Sequence, residues 1–433
     1  MTRLATYVLA ALACASAALA QPAPPAPDAP EPGPLTREAL AQTAAIEQRF
    51  AEIGRLRAEQ EQHRVAFEAA QKAGDLAGGQ EISRKGHVAH DRIIALEKEI
   101  DEGLDPLRKL LAQTIAQERP RVDLHATLAK IAALKGEAHA ALAASDAACA
   151  LDPTSIDLRY DRALYAMKAM DWAKAIADFE ACAAANHKMP YCAHERARCL
   201  VWTHQFEAAI AAIDTLLPAA SKAEKKSLTS LRLMATDYVD LWKHEQELRK
   251  AEAERDDLPR VKLVTAKGEI LLELFEDQAP MTVANFVTLV ESGFYTSTRF
   301  HRKVEAFMIQ GGCPNTRQTV DPSTHGQGHP GYLIPDELGP AARAHFAGSL
   351  TMANGGQIDT NGSQFMITHV PAGWLNVKRR ANHPPVGHTV FGRVIAGFEI
   401  ALKLDAGDEL VRAEVLRKRD HAYEIKRKLR ADK

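Results

Sequence analysis

The stretch Phe300–Gln310, FHRKVEAFMIQ, followed at once by Gly311-Gly312, decides how the rest of the chain is read. It sets one permanent cation, Arg302, five residues before the apolar pair Phe307 and Met308, and puts the primary amide of Gln310 two residues beyond Met308. On a continuous strand Arg302, Met308 and Gln310 have the same parity and share one face, whereas a bend between them breaks that count. Nothing in the stretch is an obvious nucleophile, metal ligand or tuned acid. A cation, an apolar floor and an amide suit an apolar ring joined to a polar bond that is polarised and not cleaved. An Arg beside an apolar run is also an ordinary rim residue, so the reading depends on what the downstream chain adds.

Two further pieces follow. Leu350–Ile367, LTMANGGQIDTNGSQFMI, sets a Gly/Asn loop between two apolar strands and carries Ala353, Asn354, Gln364 and Met366. Trp374-Leu375 comes next and, after the interruption Val377–Gly387, His388-Thr389-Val390-Phe391-Gly392. Around these pieces the periodicity is that of strands. From Leu258 onward Val261 and Leu263, then Ile270, Leu272 and Leu274, alternate around Lys267-Gly268. One helix interrupts them, with Pro280 at its start, Val283, Phe286, Val287 and Val290 on one face and Gly293 past its end. Short apolar runs cut by Gly and Pro continue beyond it, the pattern of a closed β-structure.

With these residues in place, the chain from about residue 260 to 420 resembles a cyclophilin, a peptidyl-prolyl cis-trans isomerase. The motifs FHR…FMIQGG, MAN…NGSQF, WL and HTVFG occur in the family's order and approximate spacing. The resemblance implies a closed antiparallel barrel of eight strands capped by two helices, proline-containing polypeptide substrates, and no metal or cofactor. It makes Arg302 the catalytic cation, with Gln310 and the backbone of Asn354 holding the peptide. Phe307, Met308, Met366 and Leu375 become the walls of a proline pocket, and His301, Ala353, Gln364, Trp374 and His388 complete the surface. Trp374 stands where the family's binding of cyclosporin depends on an indole. The histidines need no proton-transfer role, because the reaction moves no proton. Glu305-Ala306 replaces the usual Pro-Gly, Met366 replaces a common Phe, one extra residue sits in Gly355–Thr360, and Val377–Gly387 is an insertion near the rim.

Upstream the chain is helical. Leu35–Glu118 reads as a long hairpin, with a stripe of Ile46, Phe50 and Ile53 on the first helix. Breaks fall at Ala73-Gly74 and Gly78-Gly79, and Ile93, Leu96, Ile100, Leu104, Leu107 and Leu111 line the second helix. The hairpin is either a coiled-coil dimer element or a lid on the helices that follow. Residues 122–223 carry a period of 34: Ala129, Ala163 and Ala197 recur at that spacing, as do Ala141, Ala175 and Ala209, with turns at Gly136, Met170 and His204. This resembles tetratricopeptide repeats, stacked helix pairs that present a groove to a protein partner the sequence does not name. Residues 223–257 read as a further helix ending in the charged run KHEQELRKAEAERDD, a solvated connector.

The first residues read as an export signal: Arg3, the apolar run Leu4–Ala15, and Ala18-Leu19-Ala20 before Gln21. A lipoprotein signal acylated at Cys14 is the competing reading, with Ala11 an unfavourable residue three positions before it. Seven prolines in residues 21–34 make an extended spacer. The segments are therefore a signal (1–20), spacer (21–35), hairpin (36–120), repeats and connector (121–257), isomerase domain (258–421) and basic tail (422–433); the basic run from Arg417 to Lys433 reads as a solvated end, with contact to anionic lipid or polymer the minor alternative. With a net charge of −2 nothing argues for a nucleic-acid binder, and no other segment is apolar enough to span a membrane. Cys149, Cys182, Cys192, Cys199 and Cys313 have no zinc spacing, which leaves buried thiols or one disulfide. The expectation is an exported, periplasmic or secreted, prolyl isomerase acting in protein folding, with a helical interaction module. The alternative is a scaffold that only holds proline peptides.

Overall fold

The structure, a computed structural model, describes residues 31–185, 192–317, 321–379, 383–425 and, by backbone, 428–429. The signal with Cys14, most of the proline spacer, part of the 377–387 insertion and most of the tail lie outside the described residues. The chain forms two compact units, one ending at Lys168 and the other beginning at Ala169.

In the first unit, α1 (Pro34–Ala73) and α2 (Leu76–Gln117) make the hairpin. The Glu118 carboxylate at the end of α2 accepts from Leu35 N (3.0 Å) and Thr36 N (3.3 Å), so the far helix caps the near one. Gly74, at φ 72°, ends α1. The break expected at Gly78-Gly79 is corrected, because α2 already starts at Leu76: Asp75 accepts from Gly78 N at 2.9 Å and caps it. A Cβ on Gly78 would lie 2.1 Å from that carboxylate, so glycine makes room for the cap. The stripes of both helices meet in one core, which Leu124 and Ile131 of α3 (Val122–Leu134) also enter. The second helix's stripe is thus covered from within the chain.

The 34-residue period is expressed in the backbone. Helices α3, α4 (Ala138–Leu151) and α5 (Ile156–Lys168) belong to the first unit, and α6 (Trp172–Ala184), α7 (Cys192–Trp202) and α8 (Phe206–Leu216) to the second. The residue turning from the first helix of each pair to the second is Gly136, Met170 or His204, with φ of 76°, 60° and 62°. All six recurrent alanines are at most 1% exposed; Ala129 and Ala141 in the first unit, and Ala197 and Ala209 in the second, are small side chains that let paired helices approach closely. Cys149, Cys182, Cys192, Cys199 and Cys313 are buried and are not joined in disulfides among the described residues.

Helix α9 (Lys222–Arg255) opens with a capping box of Ser221 and Glu224. Its second half corrects the expectation of a solvated connector. Tyr238, Glu245 and Glu252 lie on one face and are 1%, 4% and 5% exposed, packed against the strand domain of the same unit. Arg343 donates to Glu245 (2.9 Å) and Glu252 (2.5 Å), and Arg393 to Glu252 (2.9 Å) and Glu273 (2.5 Å). The arginines come from segments about ninety to 140 residues downstream, so the local run of charge gives no sign of burial.

The strand domain is a closed barrel. A sheet runs β3 (Thr298–Arg299), β10 (Glu409–Arg417), β1 (Arg260–Thr265), β2 (Gly268–Leu274), β9 (Val390–Ala396), β7 (Ser349–Met352), β8 (Phe365–Thr368), β5 (Met308–Gly311), β4 (Arg302–Val304), every pair antiparallel. Its two ends, β3 and β4, are one run of chain separated only by Phe300 and His301, whose N–H groups bond Asp408 O (3.0 Å) and Gln310 O (3.0 Å). Counting that run once gives the eight strands expected. The interior is filled by Val261, Leu263, Ile270, Leu272, Phe300, Ile309, Ile367 and Phe391. Helix α10 (Pro280–Glu291) enters that core with Val283, Phe286, Val287 and Val290; α11 (Phe398–Lys403) enters with Ala401. The tail is not simply a solvated end. Arg419 donates to Asp277 (2.6 Å) and Asp257 (2.9 Å), and β11 (Lys428–Leu429) pairs with β6 (Tyr332–Leu333).

Candidate active site

The turn after Arg302 doubles the chain back, and the register pairs Arg302 with Gln310 and Val304 with Met308. Residues paired across antiparallel strands share a face, so the parity expected for Arg302, Met308 and Gln310 survives the bend. Gln310 pairs in turn with Met366, and Met366 with Thr351. One row, Arg302–Gln310–Met366–Thr351, therefore crosses four strands on the outer wall, while their neighbours Ile309, Ile367 and Leu350 point into the core. The turn is closed by Phe307 N to Val304 O (3.1 Å) and carries Ala306 at φ 50°. Glu305-Ala306 thus keeps a left-handed turn residue without a glycine to hold it.

Met308, Met366, Leu375 and Ala372 form an apolar cluster on this wall, with Phe307, Ala353 and Val304 packed against it. The structure brings together all four residues expected to wall a proline pocket, and Ala353 with them. Trp374 stands at the rim, half exposed, its ring 5.1 Å from that of Phe307. Both Trp374 and Leu375 sit on one short helical turn, Gly373–Leu375.

The polar side of the site is a relay of amides. Arg302 is exposed, and its Nη1 lies 3.5 Å from Gln310 Oε1; among the described residues no carboxylate forms an ion pair with it. Gln310 Nε2 donates to Gln364 Oε1 (3.0 Å), and Gln364 Nε2 to the carbonyls of Gly326 (2.8 Å) and Gly328 (2.9 Å). The cation thus adjoins a chain of neutral amides, none of which neutralises its charge. The Asn354 side chain spans Gly387 O (3.1 Å) and Gly356 N (3.1 Å), which ties its loop to the end of the insertion. The described ends of that insertion are bridged by Lys378 N to Val386 O (2.8 Å).

Neither expected histidine is arranged as an acid or base. Burial, with the charges of His325 and Arg302, pulls the His301 pKa down to about 4, so it is neutral near pH 7. His388 Nδ1 lies 2.9 Å from Met352 O and its N–H bonds Leu375 O (3.1 Å), a bracing role.

Sequence reasoning missed the layer behind. Cys313 Sγ accepts from Gly326 N and Gly328 N (both 3.3 Å), setting the loop that holds Gln364. Thr351 is met by His345 Nε2 (3.1 Å), and His345 Nδ1 by Asn376 Oδ1 (2.9 Å). Tyr238 of α9 donates to His345 O (2.8 Å) and accepts from Asn376 Nδ2 (3.2 Å). Asn376 adjoins the Trp374-Leu375 motif and was within reach of the sequence; Tyr238, over a hundred positions away, was not.

A family model for cyclophilin type peptidyl-prolyl cis-trans isomerase/CLD matches residues 260–421. The chain is 44% identical over 139 residues to human peptidyl-prolyl cis-trans isomerase-like 1, covering 32% of this chain and 75% of the relative. It is 41% identical over 148 residues to peptidyl-prolyl cis-trans isomerase B of Bacillus subtilis, covering 34% and 91%. Among solved structures, a Cryptosporidium parvum cyclophilin type isomerase matches 37% of this chain and 99% of its own at 29% identity, with a TM-score of 0.31. A tetratricopeptide repeat protein from Parabacteroides merdae matches 44% and 80% at 14% identity, with a TM-score of 0.28. Sequence relatives matched over most of their length settle what the barrel alone left open: this chain belongs to the cyclophilin type peptidyl-prolyl cis-trans isomerase family.

Proposed function

We propose that this isomerase turns X–Pro bonds of polypeptides during protein folding outside the cytoplasm, with Arg302 as the catalytic cation. The observation that carries the site assignment is Arg302 with no carboxylate partner among the described residues, in register with Gln310 beside the Met308–Met366–Leu375 cluster. A prolyl ring seated on that cluster places its amide nitrogen near the guanidinium. The planar amide is held by resonance behind about 18–20 kcal/mol. At the twisted state its nitrogen lone pair is free to accept a hydrogen bond, and a donor matched to that state accelerates the reaction. An acceleration of ~10⁵-fold needs about 7 kcal/mol, of which one charged hydrogen bond supplies about 1.5–3 kcal/mol. Gln310, Gln364 and the Asn354 backbone supply the remainder by holding one side of the peptide still while the other rotates. The reaction breaks no bond and moves no proton or electron, so this mechanism calls on no cofactor.

The test is the exchange rate of a proline tetrapeptide under Arg302→Ala. Turnover is expected to fall by about a hundredfold while peptide affinity changes little, from the loss of one charged hydrogen bond; unchanged turnover removes Arg302 from the role. Export rests on the Ala18-Leu19-Ala20 signal, and a mature chain beginning at Gln21 is its mass-spectrometric sign; a diacylglycerol adduct on Cys14 is the sign of lipid anchoring instead. The helical pairs support a role in holding a protein partner, and Trp374 beside Phe307 supports cyclosporin binding.

A further inference from the structure

We infer that the substrate surface continues past Trp374 onto helix α9, where a groove receives an apolar side chain of the polypeptide on one side of its prolyl bond. This rests on the assignment of the Met308–Met366–Leu375 cluster as the proline site. The groove has a volume of about 260 Å³ and is lined by Leu233, Met234, Tyr238 and Leu241 of α9 together with Trp374 and Asn376. Pockets for whole small ligands span roughly 300–1,000 Å³, so this one suits a single side chain.

Its lining is exposed where a surface helix is ordinarily polar: Leu233 is 62%, Leu241 38% and Trp374 50% exposed. Leu233, Met234, Tyr238 and Leu241 fall on one helical face, with Ser230 and Asp237 as polar neighbours in the groove. Asp237 stands between Leu233 and Leu241 on the same ridge, so the strip is apolar with one carboxylate along it; exposed apolar side chains gathered in this way mark a binding surface.

The occupant follows from continuity. Trp374 belongs to both places, contacting Phe307 at the proline cluster (5.1 Å between rings) and lining the groove. The adjacent Leu375 walls the cluster itself. The turn carrying both is fixed to α9 by Tyr238, which bonds His345 O and Asn376 Nδ2, and whose ring lies 3.1 Å from where a Cβ on Gly373 would stand. A chain seated with its proline on the cluster and running out over Trp374 passes directly onto Leu233 and Leu241. The ligand is thus the substrate polypeptide itself, and α9 acts as a specificity element added to the barrel.

The experiment uses the full chain, a proline tetrapeptide, and a set of longer peptides with one Leu moved stepwise away from the proline on either side. Exchange rates give kcat/KM, and calorimetry gives affinity separately. The comparison is made for wild type and for Leu233→Ser/Leu241→Ser, whose sites are solvent-facing, with its melting temperature checked. In wild type one Leu position is expected to raise kcat/KM over the tetrapeptide about tenfold, through KM, as for partial burial of one leucine. In the variant that ratio is expected to return to about one. A Leu effect absent from wild type, or surviving in the variant, overturns the groove. Should the chain bind these peptides without turning them over, the catalytic assignment fails, and Leu-dependent affinity lost in the variant still supports the groove.

Discussion

Arg343→Met is the sharpest test of how α9 is joined to the barrel. The Arg343 side chain is 2% exposed, sits 3.9 Å over the Phe275 ring, and meets Glu245 Oε2 at 2.8 Å and Glu252 Oε1 at 2.5 Å. Burial alone pushes the Glu245 carboxyl up, but the Arg343 hydrogen bond and charge, with Arg249, outweigh it and leave the pKa lowered. Methionine keeps most of the volume and removes the charge, leaving Glu245 to Arg249 and Glu252 to Arg393. Removing one partner from a buried ion pair costs about 3–5 kcal/mol. For a unit of this size that is roughly 6–20 °C in melting temperature. Urea unfolding followed by far-ultraviolet circular dichroism measures it. Adding Glu245→Gln to Arg343→Met is expected to recover part of the loss, since the orphaned carboxylate goes too. A cost under about 1 kcal/mol, the ordinary value for an exposed pair, refutes the buried-network argument. The same reasoning predicts that a barrel cut free before Asp256 loses both carboxylates facing Arg343 and is markedly less stable than the full chain.

Ala306→Gly is expected to stabilise the Val304–Phe307 turn by about 1 kcal/mol, because Ala306 has φ 50° and glycine carries no penalty there; an unchanged or lower melting temperature contradicts the strain assigned to it. Acid should weaken the fold early. His345 and His369 are buried with pKa values pulled down to about 3, chiefly by desolvation, from an ordinary 6.5. Between those limits the unfolded chain binds more protons, so their contribution is full above about pH 6.5 and is lost as pH falls toward 3, costing roughly 1 kcal/mol each between pH 7.5 and 5.5. A stability flat across that interval, measured by urea unfolding, shows that these rings are not held neutral by burial.

The sequence by itself determined most of the elements and the candidate residues that the fold brings to one face. Alternation at Val261/Leu263 and Ile270/Leu272/Leu274, the 34-residue recurrence of alanines, and the motifs around Arg302, Asn354 and His388 are local or periodic signals. Local signals survive folding when, as here, the buried face matches the period. What needed the tertiary structure was every interaction whose partners are far apart in the chain. KHEQELRKAEAERDD looks solvated because its compensating arginines, Arg343 and Arg393, arrive only when the barrel closes. Gly78-Gly79 looks like a break because nothing in the pair itself reveals the Asp75 cap. The joining of β3 and β4 into one closing strand, and the grip of Tyr238 on the turn bearing Trp374, likewise depend on contacts set by closure. Burial of a charge or a hydroxyl is decided by the partner it meets, and that partner is a property of the fold and not of the neighbouring sequence.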